Sequence, residues 1–430
     1  MYISKIRLHN IRAIQELELD FKAPYAGWHV LLGDNGVGKS SVLRAIAVGL
    51  IGPVEILRLD PAWQHWVRLK NEKATITVDV IRNNDIDRKS GRGASTKEER
   101  KSDPVKGILE IATTNGVTSY KITDVSPKKP NPNQLLWGTG GGWFSIGIGA
   151  FRRFTGGLPT LERMFDNAPR PAAHMTLFRE DAALSETMVW IYELLRYRDT
   201  NGYEWATETL EGIESFLKGN DLLPHGFDLS RISAEGLFFI DQQETEIHLY
   251  ELSKGIKSVL SLVMELLRNL CSAYGHGEVF ENAENHYVKC EGVVLIDEVD
   301  VHLHPSWQTK IGTWFTKTFP NIQFIVTTHS PLICRSCDKN SIIWQLKAYQ
   351  KGVPVEGTQR EQLIYGNILD AFGTDLFGEN IERSAEGQKK LERYSFLSQK
   401  LIFDKNSTDV ERAEFENLEK IFQTDAPNNS

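Results

Sequence analysis

The chain has 430 residues, 41% of them hydrophobic and 25% charged, with a net charge of −8. This is the composition of a folded protein long enough for a large core or two to three domains; it argues against a globally basic nucleic-acid binder, and no apolar run reaches the length of a membrane span. The opening "MYISKIRLHNIRAI" lacks the charged-then-apolar layout of a secretory leader, so a cytoplasmic protein is expected.

In chain order, "YISKIRLHN", "QELELDF" and "WHVLLG" alternate as strands do. "SSVLRAIAVGLIG" then has helical spacing, with Val42, Leu43, Ile46, Ala47 and Leu50 apolar. "TITVDVIR", "GILEIAT" and "VTSYKI" predict a second group of strands, and the polar run from Asn83 to Pro104 predicts a long hairpin tip. Helical spacing dominates from about Leu158 to Asn220, without the sustained heptads of a coiled-coil arm. "RISAEGLFFIDQQETEIHLYEL" predicts a β-hairpin with "QQET" near its turn, and a long helix follows from Lys254. "GVVLID" and "IQFIVTTHS" are short continuous apolar runs of the kind buried in parallel sheets, with "SWQTKIGTWFTKTF" as a helix between them. After "SIIWQL" comes charged, helical material. Cys271, Cys290, Cys334 and Cys337 are expected to be reduced thiols, because "CRSC" has no partner ligands at zinc spacing.

Two segments carry chemistry. "GDNGVGKSS" (Gly33, Asp34, Asn35, Gly36, Val37, Gly38, Lys39, Ser40, Ser41) fits G-x-x-x-x-G-K-[ST], after a strand and before a helix as that motif requires. Glycines let successive backbone N–H groups turn toward phosphate oxygens, and the helix N-terminus adds partial positive charge. Lys39 is placed to hold the β- and γ-phosphates, and the Ser40 hydroxyl to reach Mg²⁺. "GVVLIDEVDVHLHPSWQ" ends a buried strand on Asp297 and Glu298. Two adjacent carboxylates near one triphosphate call for a cation. Asp297 then suits positioning of Mg²⁺, and Glu298 suits polarising the water that attacks the γ-phosphate of ATP. His302 and His304 could bind a metal at i, i+2.

With "LSKGIKS" from Leu252 and His329 in "FIVTTHSP", the set resembles an ABC-type ATPase head, as in SMC, RecF and OLD-family proteins. "LSKGIKS" resembles the ABC signature, "LIDEVDVHLHPSWQ" resembles the corresponding OLD/RecF-like run, and "ISKIRLHNIRAI" resembles the group's opening strand. The resemblance covers about residues 1–50 and 230–335. It implies an α/β P-loop head with a mixed sheet, an inserted helical lobe and a helical C-terminal tail. The pieces expected are 1–157 (P-loop lobe with an antiparallel β region), 158–230 (helical insertion), 231–350 (signature, acidic strand end and switch histidine) and 351–430 (tail). It further implies that "HLHP", with His302 and His304, is the loop after the acids, lying along the dimer contact instead of binding a metal. It also implies that Asn10 and Arg12 lie near the nucleotide, that His329 senses the γ-phosphate, and that Ser253 and Gly255 act in trans on the ATP of a second copy. Ser253 also reads as a helix N-cap, and both roles are compatible. The glutamine such heads offer between P-loop and signature has no assignable counterpart; "WFSIGIGAFRRFTGG", with Arg152 and Arg153, falls near its place.

The function implied is an ATP-hydrolysing switch, dimeric or larger, in a DNA-directed complex resembling the ATPase subunits of Septu- and retron-type anti-phage systems. Its nuclease is expected on a separate polypeptide, since no His-Asn-His cluster or Toprim-like module is legible. A RecF-like repair ATPase acting on DNA directly is the alternative, kept open by Lys128, Lys129, Arg152 and Arg153. A transporter ATPase subunit is a third reading, disfavoured by "HLHP".

Overall fold

The computed structural model describes residues 1–59, 65–82, 104–114, 119–137, 143–151, 169–179, 185–201, 203–223, 226–347, 352–366, 385–403 and 408–422. The predicted hairpin tip up to residue 103, and Arg152 and Arg153, lie outside the described residues. The chain divides into two units, Met1–Tyr365 and Gly366–Ser430.

In the first unit an antiparallel sheet has the order β2-β1-β4-β5-β6. Its strands are β1 (Tyr2–Ile11), β2 (Ile14–Asp20), β4 (Lys73–Ile81), β5 (Val105–Thr114) and β6 (Ser119–Asp124). The second sheet is mixed, in the order β14-β13-β3-β12-β11-β7. It contains β3 (Gly27–Leu32), β7 (Ser145–Ile148), β11 (Gly292–Ile296), β12 (Ile322–Thr328), β13 (Ile343–Gln345) and β14 (Val353–Pro354). All but β14 run parallel, so β3, β12, β11 and β7 end on one edge. In β11 and β12 every residue is buried, which explains why β11 reads as an unbroken apolar run and β12 as one interrupted only by Gln323 and the closing Thr327 and Thr328, rather than as alternating strands.

From Val42 onward helix Lys39–Ile51 is apolar and buried except at Arg44, because it packs against strands of both sheets. Gly49 rests on Val78 of β4, and its carbonyl accepts the indole N–H of Trp137 at 2.8 Å. The two sheets are also tied by a buried amide. The ladder from β1 to β4 shifts register between Ile3 and Lys5, and the Gln323 side chain of β12 takes up the Ile3 backbone. Its Oε1 accepts the Ile3 N–H at 2.8 Å and its Nε2 donates to the Ile3 carbonyl at 2.9 Å. Gln323→Leu leaves both backbone groups buried and unpaired, and is expected to lower unfolding stability by about 2–4 kcal/mol, measured by denaturant titration. An unchanged midpoint would mean the sheets are held together elsewhere.

The predicted single hairpin is two hairpins. β8 (Asp228–Ser233), β9 (Gly236–Ile240) and β10 (Glu246–His248) form an antiparallel sheet in the order β10-β9-β8. "QQET" lies in the second turn, closed by Asp241, whose Oδ1 accepts the N–H groups of Gln243 and Thr245 at 2.8 and 2.9 Å. The predicted helix "SWQTKIGTWFTKTF" is likewise two pieces, Pro305–Gln308 and Ile311–Thr318. The turn between them tightens, with the Lys310 N–H donating to the Trp307 carbonyl three residues back.

Helices Ser185–Asn201 and Glu204–Leu217 form the helical lobe beside the 21-residue helix Lys254–Tyr274. Buried Glu265 on that last helix accepts from Thr187 and Asn269 and pairs with Arg268 at 2.6 Å. Burial pushes its pKa up, but the arginine and the hydrogen bonds outweigh this and leave it below the usual carboxylate value. The four cysteines are free, and burial raises the Cys290 and Cys334 thiols to about 12, far from reactive thiolates.

The second unit contains helices Ala385–Phe403 and Asp409–Phe422, paired as an antiparallel hairpin. Arg393 binds Glu414 through two bonds, Lys400 meets Glu411 at 2.6 Å, and Tyr394 stacks on Phe415. Among the described residues no helix is long and apolar enough to cross a membrane.

Candidate nucleotide site

The predicted P-loop residues, the two acids and His329 sit on the edge where the parallel strands end. β3 leads into the P-loop, β11 into Asp297–Glu298 and β12 into His329, with β12 lying between the other two strands. Open α/β sheets gather ligands at the carboxyl ends of their strands for the same reason: loops and helix N-termini converge there.

In the P-loop, Asp34, Asn35 and Gly36 are exposed, and Val37, Gly38, Ser40 and Ser41 are partly covered. Gly38 has φ 100° where the chain turns into the helix, a backbone that an L side chain resists. Lys39 is 5% exposed and curls back over its own loop, donating to the carbonyls of Gly33 at 2.8 Å and Asp34 at 2.9 Å. Burial pulls its pKa down, while the charges of Glu298, Asp297, Asp300 and Asp34 act in the opposite direction. The lysine from residue 39 and the acids from residues 297–300 therefore share one electrostatic site.

Asp297 is buried and continues the ladder, its N–H donating to the Ile148 carbonyl at 2.8 Å. Thr327 organises both acids. Its hydroxyl donates to Asp297 Oδ1 at 2.6 Å and accepts the Glu298 N–H at 2.7 Å. Glu298 takes a left-handed backbone, φ 44°, which turns it away from the strand direction that Asp297 keeps. Asp300, buried, accepts the Thr328 hydroxyl at 2.5 Å and stands 3.4 Å from Nε2 of half-exposed His329.

Asn10, next to the last residue of β1, and Arg12, on the β1–β2 turn, both have left-handed φ (55° and 49°). The turn abuts the P-loop: a Cβ on Gly38 would lie 3.5 Å from Ile14. Arg12 stacks on Trp66 at 4.9 Å, and its buried Nε has no hydrogen-bond partner. Burial and the nearby charge of Arg44 lower its pKa. An unpaired cationic donor here suits an anionic ligand. Asn10 instead donates weakly, at 3.4 Å, to the Lys73 carbonyl.

Ser253 and Gly255 are not hydrogen-bonded to the P-loop of their own chain. Exposed Ser253 caps helix Lys254–Tyr274, its Oγ accepting the Ile256 N–H at 3.4 Å. Gly255 lies against the loop after β11, where an added Cβ would come 2.7 Å from the His302 carbonyl. His302 has φ 66°, and His304 caps helix Pro305–Gln308 by accepting the Ser306 N–H. Among the described residues no group of three or more His, Cys, Asp or Glu side chains could hold a metal. Ser40 and Asp297 are hard oxygen donors, and Mg²⁺ at a nucleotide takes one or two such protein ligands, with phosphates and water completing its shell.

Sequence reasoning missed Thr327, Thr328 and Asp300. The signal was present: two threonines ending a mostly apolar strand, and a third acid two residues after Glu298.

Several known proteins are similar to this chain. The family described as "AAA domain, putative AbiEii toxin, Type IV TA system" matches residues 165–335, and another described as "AAA domain" matches residues 5–135. The chain is 26% identical over 374 residues to the Septu protein PtuA of Bacillus mycoides (strain KBAB4), covering 83% of this chain and 44% of that protein. It is 36% identical over 160 residues to the "Retron Ec83 probable ATPase" of Escherichia coli, covering 37% of this chain and 28% of that protein. It is 43% identical over 98 residues to the "Retron Vc95 probable ATPase" of Vibrio cholerae serotype O1 biovar El Tor, covering 23% and 18%. The chain thus spans less than half the length of the curated relatives it matches. An SMC head crystallised with the C-winged helix domain of ScpA aligns with TM-score 0.48 and 16% identity, over 83% of this chain and 98% of the other. Two AAA-domain models thus match separate parts of the chain, each carrying part of the nucleotide edge, and the chain is similar to the Septu protein PtuA and to probable ATPases of retrons.

Proposed function

We propose that this chain binds ATP with Mg²⁺ at the P-loop, hydrolyses it to ADP and phosphate, and uses the cycle to close and open a dimer. The observation that carries this is the convergence of Lys39 with Asp297, Glu298 and Asp300 at one strand edge. In this reading Lys39 holds the β- and γ-phosphates while the N–H groups of Gly36 to Ser41 cradle them. Ser40 and Asp297 would hold Mg²⁺, which when bound neutralises charge on the phosphate oxygens. Glu298 orients and polarises the attacking water, Asn10 and Arg12 lie beside the nucleotide, and His329 meets the γ-phosphate.

Ser253 and Gly255 complete the site of a second copy. Ser253 is exposed at the start of a long helix, where N–H groups and partial positive charge point outward toward an anion. Because only the triphosphate would engage both copies, ATP favours the closed state and hydrolysis releases it.

The similarity to Septu and retron ATPases supports a place in an anti-phage, DNA-directed complex with a separate nuclease polypeptide. Ser253→Arg tests the assembly. The bulky cation is expected to abolish ATP-dependent dimerisation and cooperative turnover while leaving the binding of ATP to a single chain within about twofold, read by light scattering and calorimetry. Dimers formed normally by this variant would remove the signature from the interface.

A further inference from the structure

We propose that Asp300 is the positioning residue of His329, fixing the direction and tautomer of its imidazole; this rests on the reading above, in which His329 meets the γ-phosphate. His329 is the first residue past β12, its side chain 50% exposed, so packing alone does not define the ring. The 4%-exposed Asp300 carboxylate stands beside it. One oxygen takes the Thr328 hydroxyl at 2.5 Å and the other lies 3.4 Å from His329 Nε2, within reach of a hydrogen bond after a small ring rotation. The backbone on either side is pinned as well. The Ser330 N–H donates to Thr328 Oγ1 at 2.9 Å, and the Ser330 hydroxyl donates to Gln308 at 2.6 Å. Gln308 is itself fixed by donating to the Leu303 carbonyl at 2.9 Å. Thr328, His329 and Ser330 are therefore mounted on the single segment that follows the catalytic acid, Asp300 to Gln308.

A carboxylate on one ring nitrogen decides which nitrogen carries the proton. With Nε2–H turned to Asp300, Nδ1 is left as the nitrogen that can accept from, or after protonation donate to, a group at the strand edge. Asp300 touches neither phosphate nor water in this scheme and acts only through the histidine.

Asp300→Asn keeps an oxygen for Thr328 and removes the charge. Steady-state ATP turnover of the full chain is expected to fall about tenfold in kcat, with KM within about twofold and an unchanged melting temperature. His329→Ala is expected to fall at least as far, and the double variant no further than His329→Ala alone. Should Asp300→Asn turn over ATP like the wild type while His329→Ala is impaired, or should the two losses multiply, the positioning role is wrong and the proposed function stands. Should His329→Ala itself be fully active, the role of His329 fails and this inference with it. If Asp300→Asn does not fold, long-range ¹⁵N–¹H spectra of the wild type decide, with His329→Ala assigning the signal: an Nε2-protonated ring supports the proposal and an Nδ1-protonated ring overturns it.

Discussion

Lys39→Ala is expected to reduce ATP hydrolysis by roughly 10²–10³-fold, the scale set by removing one preorganised charge from a phosphoryl-transfer site. The fold should survive. Lys39 spends its hydrogen bonds on two carbonyls of its own loop, Gly33 and Asp34, and Asp34 is exposed, so water can take over part of that role. Burial disfavours the ammonium to begin with, which further limits the stability lost on removing it. A melting temperature close to that of the wild type, together with lost turnover and lost nucleotide affinity, is the expected pair of results. Wild-type turnover in the variant would detach the P-loop from the activity altogether. Collapse of the fold would instead show that the lysine is chiefly structural.

Glu298→Gln separates binding from chemistry. The two side chains are nearly isosteric, and both face the same left-handed backbone at φ 44°, so the local strain is shared and the Thr327 contact to the backbone N–H persists. What is lost is the charge proposed to polarise water, an effect expected to be worth roughly 10²–10⁴-fold in rate. With hydrolysis blocked and ATP still bound, the closed state should accumulate. Light scattering is then expected to show twice the 48.7 kDa chain mass in ATP, or a higher multiple, and a single chain in ADP. Normal hydrolysis by Glu298→Gln would mean that another group positions the water. Lost hydrolysis with no larger species would leave the ATPase reading intact and remove dimer closure.

The elements and the P-loop were legible in the sequence because their causes are local. A glycine turn before a helix, or an apolar run ending on two acids, needs only neighbouring residues to be recognised. The relations between segments were not. Nothing in "TTHS" says that Thr327 reaches Asp297, thirty residues earlier, or that Gln323 clamps Ile3 across two sheets. These are single side chains meeting across strands, without a period to mark them. The hairpin of β8 and β9 was missed for a different reason: only Ala234 and Glu235 separate the two strands, whereas the longer polar "QQET" marked the turn into β10. The trans placement of Ser253 and Gly255 was suggested by resemblance alone, since a single chain shows them only as a helix cap and a close backbone contact.

If Glu298 has the role proposed for it, its left-handed backbone sets thermal robustness against turnover at a single codon. A left-handed residue with a side chain is disfavoured by about 1 kcal/mol, a strain that glycine does not feel. Selection for heat resistance alone would therefore favour glycine at this position and delete the carboxylate in the same step, so a consensus or stabilising redesign of this protein has to hold residue 298 fixed.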